Sequence, residues 1–120
     1  MSYRNLKAWD KSMLMVVKVY DFCATLPADE KFVLSAQMRR AALSIPSNIA
    51  EGYGRGTKQD YARFLDISMG SLRELQTQLE VARRLKFGET KALQDELEEL
   101  ARIIRGLSKS LRKDTPPEGS

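Results

Sequence analysis

The sequence contains no histidine and only one cysteine, Cys23, and these scarcities exclude most of the usual catalytic chemistry. Histidine is the commonest general base and the commonest metal ligand in proteins. A single cysteine cannot form an internal disulfide or a thiolate metal site, and a nucleophilic thiol needs an activating base that is not evident here. We therefore expect no enzymatic activity, no bound metal and no cofactor, and we interpret Cys23 as a small core residue.

Long apolar runs are also missing, so no segment is suited to crossing a membrane. Residues 1–5 lack the apolar stretch of a signal peptide, and the lone cysteine suits a reducing compartment. These features predict a cytoplasmic protein with no membrane partner. The length of 120 residues fits one domain, which we place at residues 1–113, followed by a disordered tail over residues 114–120.

The alternation typical of strands is absent, and apolar residues recur instead at the three- and four-residue spacing of amphipathic helices. The spacing predicts a first helix over residues 6–25, which ends before Pro27 because the residue preceding proline avoids the helical region. Its predicted buried stripe is Leu6, Trp9, Met13, Val16, Val17 and Tyr20.

A second helix is predicted to begin near Asp29, a good N-cap residue. Pro46 falls inside it and removes one backbone hydrogen bond. Because the apolar stripe keeps its phase through this point, we interpret the segment as one kinked, continuing helix. Two shorter helices meeting at Pro46 are the alternative. The predicted stripe is Leu34, Met38, Ala41, Ile45 and Ile49.

The third helix is predicted to begin at Thr57, which forms a capping-box pattern with Asp60, and to end at Gly88. Its apolar positions alternate steps of four and three, as in helical bundles. The stripe is Tyr61, Leu65, Ser68, Leu72, Leu75, Leu79 and Ala82.

The fourth helix is predicted to begin near Thr90 and to bury a stripe with the same steps. Acidic residues crowd its first half and basic residues its second half, an arrangement that the helix macrodipole favours. Four such helices with short loops predict an all-α, antiparallel up-down-up-down four-helix bundle. The stripe is Leu93, Leu97, Leu100, Ile104, Leu107 and Leu111.

Basic and aromatic residues gather around the glycine-rich turn between the second and third helices, in a chain whose net charge is +4. Guanidinium groups and aromatic rings bind phosphates and stack on bases, so we predict a nucleic-acid-binding cluster. Its members are Arg39, Arg40, Tyr53, Arg55, Lys58 and Arg63. The alternative is a solvated surface whose cations form ion pairs with Glu51, Asp60, Asp66 and Glu74.

Polar residues also lie on or near the stripes of the second and third helices, where buried polar groups must be paired and can fix register or assembly. We predict a structural polar network, and an active site is the alternative. Its members are Asn48, Glu51, Ser71 and Glu74, and the partners expected from the charge pattern are Arg39, Arg40 and Arg73.

Residues 37–52, which contain the string Asn-Ile-Ala-Glu-Gly, resemble the hallmark segment of bacterial four-helix proteins encoded in intervening sequences of large-subunit ribosomal RNA genes. Residues 64–79 resemble the second hallmark of that family, and Leu6-x-x-Trp9 also fits. The resemblance covers residues 3–88. Departures are small: Val33 stands where glycine is expected, and Ser68 where alanine is common.

The resemblance implies a homopentameric ring with no established enzymatic activity. Distantly similar proteins, the accessory variability determinants of diversity-generating retroelements, bind a reverse transcriptase and RNA through a basic surface. Because those proteins lack the Asn-Ile-Ala-Glu-Gly string, we favour RNA or DNA over a reverse transcriptase as the partner. The resulting hypothesis is a homo-oligomeric accessory protein that associates with nucleic acid. A protein–protein interaction scaffold is the alternative.

Overall fold

A computed structural model describes residues 6–113 as a bundle of four α-helices. The helices are α1 (Lys7–Cys23), α2 (Leu34–Tyr53), α3 (Lys58–Arg84) and α4 (Lys91–Lys113). Within this described range there is no strand, which confirms the all-α class. None of the helices is both long and apolar enough to span a bilayer. The disorder predicted for residues 114–120 lies outside the described residues.

The apolar stripes predicted for α2, α3 and α4 form the core. All five predicted residues of α2 are buried, and the buried members on the next two helices are Leu65, Ser68, Leu72, Leu75, Leu79, Ala82, Leu97, Leu100 and Ile104. The remaining members are partly buried and pack against the edge of this core, namely Tyr61, Leu93, Leu107 and Leu111. The periodicity therefore predicted the inward faces of these three helices correctly.

The stripe predicted for α1 is wrong in phase. Met13, Val17 and Tyr20 are exposed, and Leu6, Trp9 and Val16 are only partly buried. Apolar residues surround most of α1, so the spacing permits two different stripes. Small side chains allow the other face to pack closely against the bundle. The buried residues are Ala8, Ser12, Met15, Val19 and Cys23.

Helix α2 begins at Leu34. The start predicted from the sequence, near Asp29, is therefore wrong. Residues Ala28–Glu30 form a short 3₁₀ turn, and the backbone angles of Val33 (φ −114°, ψ −93°) interrupt helical geometry before α2. The carboxylate that accepts a hydrogen bond from the Leu34 N–H, at 3.4 Å, belongs to Glu30. The N-cap prediction thus failed because the connection turns once more before the helix starts.

Helix α2 continues through Pro46, which confirms the continuing helix over the alternative of two shorter helices. Pro46 is buried, and the carbonyl of Ile45 beside it accepts a hydrogen bond from the Ser68 hydroxyl at 2.9 Å. Since Ser68 is fully buried, this bond both satisfies its hydroxyl and ties α3 to α2 at the proline.

Helix α3 begins as predicted, because the Thr57 hydroxyl accepts a hydrogen bond from the Asp60 N–H at 3.1 Å. Its predicted end at Gly88 is wrong. Lys86 adopts a left-handed φ of 62°, and the Phe87 N–H donates to the Ala82 carbonyl at 2.9 Å. This is the Schellman arrangement, which closes the helix at Arg84. Helix α4 then follows Thr90, as predicted.

The contacts between neighbouring helices run in opposite order: as residue numbers increase along one helix, the numbers of their partners decrease along the next. Between α2 and α3, Ser44 contacts Ser71 and the Ile45 carbonyl contacts Ser68. Arg112 in the last turns of α4 contacts Asp66 near the start of α3. One end of the bundle, formed by residues 52–66 and 105–113, therefore combines the α2–α3 connection with the end of α4, and we call it the basic end.

Candidate nucleic-acid interface

Phe64 is the centre of the predicted cluster at the basic end. Phe64 is 8% exposed, and two guanidinium groups, those of Arg55 and Arg63, each lie 4.8 Å from its ring centroid. The α2–α3 connection allows this approach, and it turns at Gly56, whose φ is +90°. Glycine adopts that conformation without steric cost. The loop thus carries Arg55 back over the first turns of α3.

Both guanidinium groups also have carboxylate partners. Arg55 lies 3.0 Å from Glu51, and Arg63 lies 3.5 Å from Asp60. These side chains are about half exposed, so each pair is weak and is screened by salt. A phosphate binding here would compete with a carboxylate for the same guanidinium. Their positive charge is therefore available only in part.

The two tyrosines of the cluster pack against each other. The rings of Tyr53 and Tyr61 meet edge to face, with centroids 5.8 Å apart. The Tyr61 hydroxyl is buried and has no hydrogen-bond partner among the described residues. Burial, and secondarily the neighbouring Tyr53, raises the pKa of this hydroxyl to about 12. Tyr53 is half-buried, so less of its ring is open for base stacking than the sequence suggested.

Arg39 and Arg40 lie apart from the other four members of the predicted cluster. At 1.5 Å per residue along α2, they are about 20 Å from Tyr53. Arg39 lies over the ring of Tyr20 at 5.8 Å and donates to the Lys31 carbonyl at 3.5 Å. Arg40 is exposed beside a polar groove between α2 and α3. The predicted cluster is thus two separate groups of residues.

The predicted polar network exists in part and is centred on Ser44, which was not among its predicted members. Ser44 and Ser71 are joined by a hydroxyl–hydroxyl hydrogen bond of 2.7 Å. The Asn48 side-chain amide donates to the Ser44 carbonyl at 2.8 Å and to its hydroxyl at 2.9 Å. The four-residue spacing of Ser44 and Asn48 was a signal for this contact. The Ser44–Ser71 bond therefore joins α2 to α3, and Asn48 holds the Ser44 hydroxyl from within α2.

The two carboxylates assigned to that network have other partners, although Glu74 lines the same groove as Ser44 and Ser71. Glu51 is exposed and pairs with Arg55, whereas Glu74 accepts a hydrogen bond from the Gln78 side chain at 3.3 Å. Arg73, predicted as a partner, instead pairs with Glu98 of α4 at 2.8 Å. The sequence spacing could not show these pairings, because they depend on which flank of each helix faces its neighbour.

A further basic surface lies on α4, in the half of the helix where the macrodipole favours basic residues. Arg102, Arg105, Lys109 and Arg112 follow each other at steps of three, four and three residues, so they share one face of the helix. All four are exposed. Residues 102–113 contain five basic residues and no acidic residue. We call the four the α4 stripe.

A cluster of metal-ligating side chains is not evident in the described part of the chain. Among residues 6–113, no three or more His, Cys, Asp or Glu side chains lie where they could hold a metal ion. Cys23 is buried, and its thiol lies 3.7 Å from the Ser35 carbonyl. Burial raises the pKa of this thiol, which disfavours the nucleophilic thiolate.

Comparisons with known proteins agree with this description. The sequence model of the family described as 23S rRNA-intervening sequence protein matches residues 4–109. The crystal structure of a protein of unknown function, from the S23 ribosomal protein family of Bacteroides thetaiotaomicron, superposes with a TM-score of 0.79 at 24% identity. The match covers 85% of this chain and 95% of that one, and at this identity it supports the fold alone. No curated protein matches the chain.

Proposed function

The chain belongs to the 23S rRNA-intervening sequence protein family, and from this premise we propose that it is a non-enzymatic, homo-oligomeric accessory protein that binds the phosphate backbone of RNA or another nucleic acid. The proposed compartment is the cytoplasm. A reverse transcriptase is not the partner that we favour.

The charge of the basic end is the observation that carries this proposal. Residues 52–66 and 105–113 contain seven basic residues and two acidic ones, and Glu51, which pairs with Arg55, adds a third carboxylate. They come from distant parts of the sequence, and the contact between Asp66 and Arg112 brings them together. A surface on which one sign of charge dominates attracts a polyanion and raises its association rate.

The outward face of α1 supports an oligomer. Its exposed apolar residues are Met13, Leu14, Val17 and Tyr20, and Leu14 and Val17 are each more than half exposed. A contiguous apolar surface on a small domain marks a site of association. We propose the homopentameric ring that the family resemblance implies, built from up-down-up-down antiparallel bundles. The opposing order of the interhelical contacts supports that topology.

A ring would repeat the basic end once in every subunit. Weak phosphate contacts on several subunits would then act together, and the avidity would exceed the affinity of any single contact. This explains how a surface with partly paired arginines could still hold a nucleic acid.

The alternative function is a protein–protein scaffold whose charge serves solubility. The ion pairs of Arg55 and Arg63 favour this alternative, because they satisfy part of the cluster internally. The two functions differ in one measurable property, namely salt-dependent binding to nucleic acid.

The proposal is tested by light scattering and by titration of labelled RNAs and DNAs of several sequences at increasing salt. We expect an oligomer, and binding that weakens steeply with salt and depends little on sequence. Replacing Arg55 and Lys58 together with glutamine should weaken binding to all sequences. Absence of binding by the parent at low salt would favour the scaffold, and a stable monomer would refute the ring.

A further inference from the structure

The α4 stripe has the geometry of a contact surface for a phosphate backbone. From Arg102 to Arg112 it extends about 15 Å along the helix axis, because each residue adds 1.5 Å. Phosphates of one strand of a duplex recur about every 3.4 Å along its axis, so the stripe spans about four of them. Its charges are spaced evenly along one face.

The helix macrodipole does not account for this arrangement. The favourable effect of cations falls off beyond the last turn of a helix, whereas Arg102 and Arg105 lie two to three turns before Lys113. Arg105 and Lys109 are also four residues apart, where like charges destabilise a helix. The sequence thus retains a repulsive arrangement that folding alone would not favour.

The ion pairs among residues 6–113 leave most of the stripe unneutralised. Arg112 pairs with Asp66, but no described acidic side chain lies within 4.0 Å of the charged groups of Arg102, Arg105 or Lys109. Glu98 is near enough to Arg105 to sense its charge, yet its close partner is Arg73. Glu99 likewise senses the charge of Arg102, although its close partner is Lys11. In contrast to Arg55 and Arg63, these three cations can meet a phosphate without breaking a close ion pair.

The chemistry around the stripe selects the kind of nucleic acid. Helix α4 contains no aromatic residue, so it offers no ring on which an unpaired base could stack. The positions that flank the stripe include small exposed residues, Gly106 and Ser110, and a Cβ added to Gly106 would meet nothing within 4 Å. A backbone can therefore approach closely.

We infer that the α4 stripe is the principal nucleic-acid contact of this protein, and that it binds the phosphate backbone of a double helix. This inference rests on the proposed function and adds to it a surface and a substrate class. Duplex RNA and duplex DNA share the recognised chemistry, and the experiment distinguishes them.

The test compares the full chain with two charge-matched variants. Arg105→Gln with Lys109→Gln removes two charges from the stripe. Arg84→Gln with Lys91→Gln removes two exposed charges far from the basic end and serves as the control. Each protein is titrated at several salt concentrations with a duplex RNA, a duplex DNA, a single-stranded RNA of equal length, and a polyglutamate peptide.

We expect the parent to prefer a duplex and the stripe variant to bind it about tenfold more weakly, with a salt slope flatter by about 1.8 for each subunit in contact. The control should bind like the parent. The stripe variant should melt at the same temperature as the parent or higher, since a repulsion is removed.

Three results would overturn the inference while leaving the proposed function intact: an unchanged affinity of the stripe variant, a preference for the single strand, or equal loss in the control. Equally tight binding to polyglutamate would contradict the assignment of a nucleic-acid duplex as the partner. A parent that binds no nucleic acid at low salt would overturn the inference and the proposed function together.

Discussion

Gly52 of α2 lies so close to Phe64 of α3 that a Cβ added to the glycine would be only 2.6 Å from the Cβ of Phe64. That position is also 3.2 Å from the Tyr61 carbonyl oxygen. Neither neighbour is the movable end of a flexible side chain. The last residue of the Asn-Ile-Ala-Glu-Gly string is therefore a glycine because two helices meet there, and the same contact helps to hold Phe64 beneath its guanidinium groups.

Gly52→Ala should lower the free energy of unfolding by about 1–3 kcal/mol, the usual cost of overpacking, despite the better helix propensity of alanine. Gly70→Ala is the matched control. It also lies in a helix, but its added Cβ meets nothing within 4 Å, so it should stabilise by about 0.5–1 kcal/mol. Urea unfolding of both variants measures the two changes. Equal changes in the free energy of unfolding would show that the contact between Gly52 and Phe64 is not rigid.

Leu72→Ala and Leu100→Ala should each cost about 2–5 kcal/mol, because both side chains are fully buried and their removal leaves cavities. Ile67→Ala, at an exposed position of α3, is the control and should change stability little. The measurement is again urea unfolding. A variant that unfolds like the parent would mean that the helix carrying it packs in another orientation.

Asn48→Ala should destabilise more than Glu51→Ala, although the sequence predicts both residues as members of one structural network. Loss of the Asn48 amide leaves the Ser44 hydroxyl with fewer partners in a partly buried site, a cost of about 1–3 kcal/mol. Glu51 loses only an exposed ion pair with Arg55, worth about 0–1 kcal/mol.

A double-mutant cycle of Ser44→Ala and Ser71→Ala isolates the hydroxyl pair and should give a coupling of about 0.5–3 kcal/mol. If the two losses simply add, the serines do not act as a pair. A larger loss of stability in Glu51→Ala than in Asn48→Ala would contradict the expected order.

Tyr61 should make the protein less stable in strong alkali. Its pKa rises from 10.0 to about 12 on folding, so the folded state retains a proton that the unfolded state has lost. The contribution of Tyr61 to the free energy of unfolding is complete below pH 10 and falls as the pH rises toward 12. Tyr61→Phe should lose less stability at alkaline pH than the parent. At neutral pH its stability should equal or exceed that of the parent, because a buried hydroxyl without a partner among the described residues is removed.

Melting temperatures of the parent and Tyr61→Phe at pH 8 and pH 11 provide the measurement. The other tyrosines titrate in both proteins, so only the difference between the two matters. A parallel decline in both would show that the Tyr61 hydroxyl ionises as readily folded as unfolded.

The sequence predicted the helices and three of the four core faces because α2, α3 and α4 separate apolar from polar residues clearly. It did not predict the orientation of α1, whose apolar residues surround the helix. The end of α3 was missed because Lys86 adopts a left-handed conformation that lysine seldom takes.

The contacts of the candidate site were predicted less accurately than the core faces, because they depend on tertiary geometry. Of the predicted cluster, Arg55 and Arg63 lie together over the ring of Phe64. The distance along α2 to Arg39 and Arg40 could have been read from helix geometry. By contrast, the pairing of Arg73 with Glu98 required knowledge of how α3 and α4 face each other.

The outward face of α1 determines how the folded protein should respond to dilution. In the proposed oligomer, association would remove Leu14 and Val17 from water only when another subunit is present, so mass action would link assembly to unfolding. The melting temperature of the parent should then rise with protein concentration. Replacing Val17 with glutamate should abolish that rise without emptying the core, because the residue points away from it.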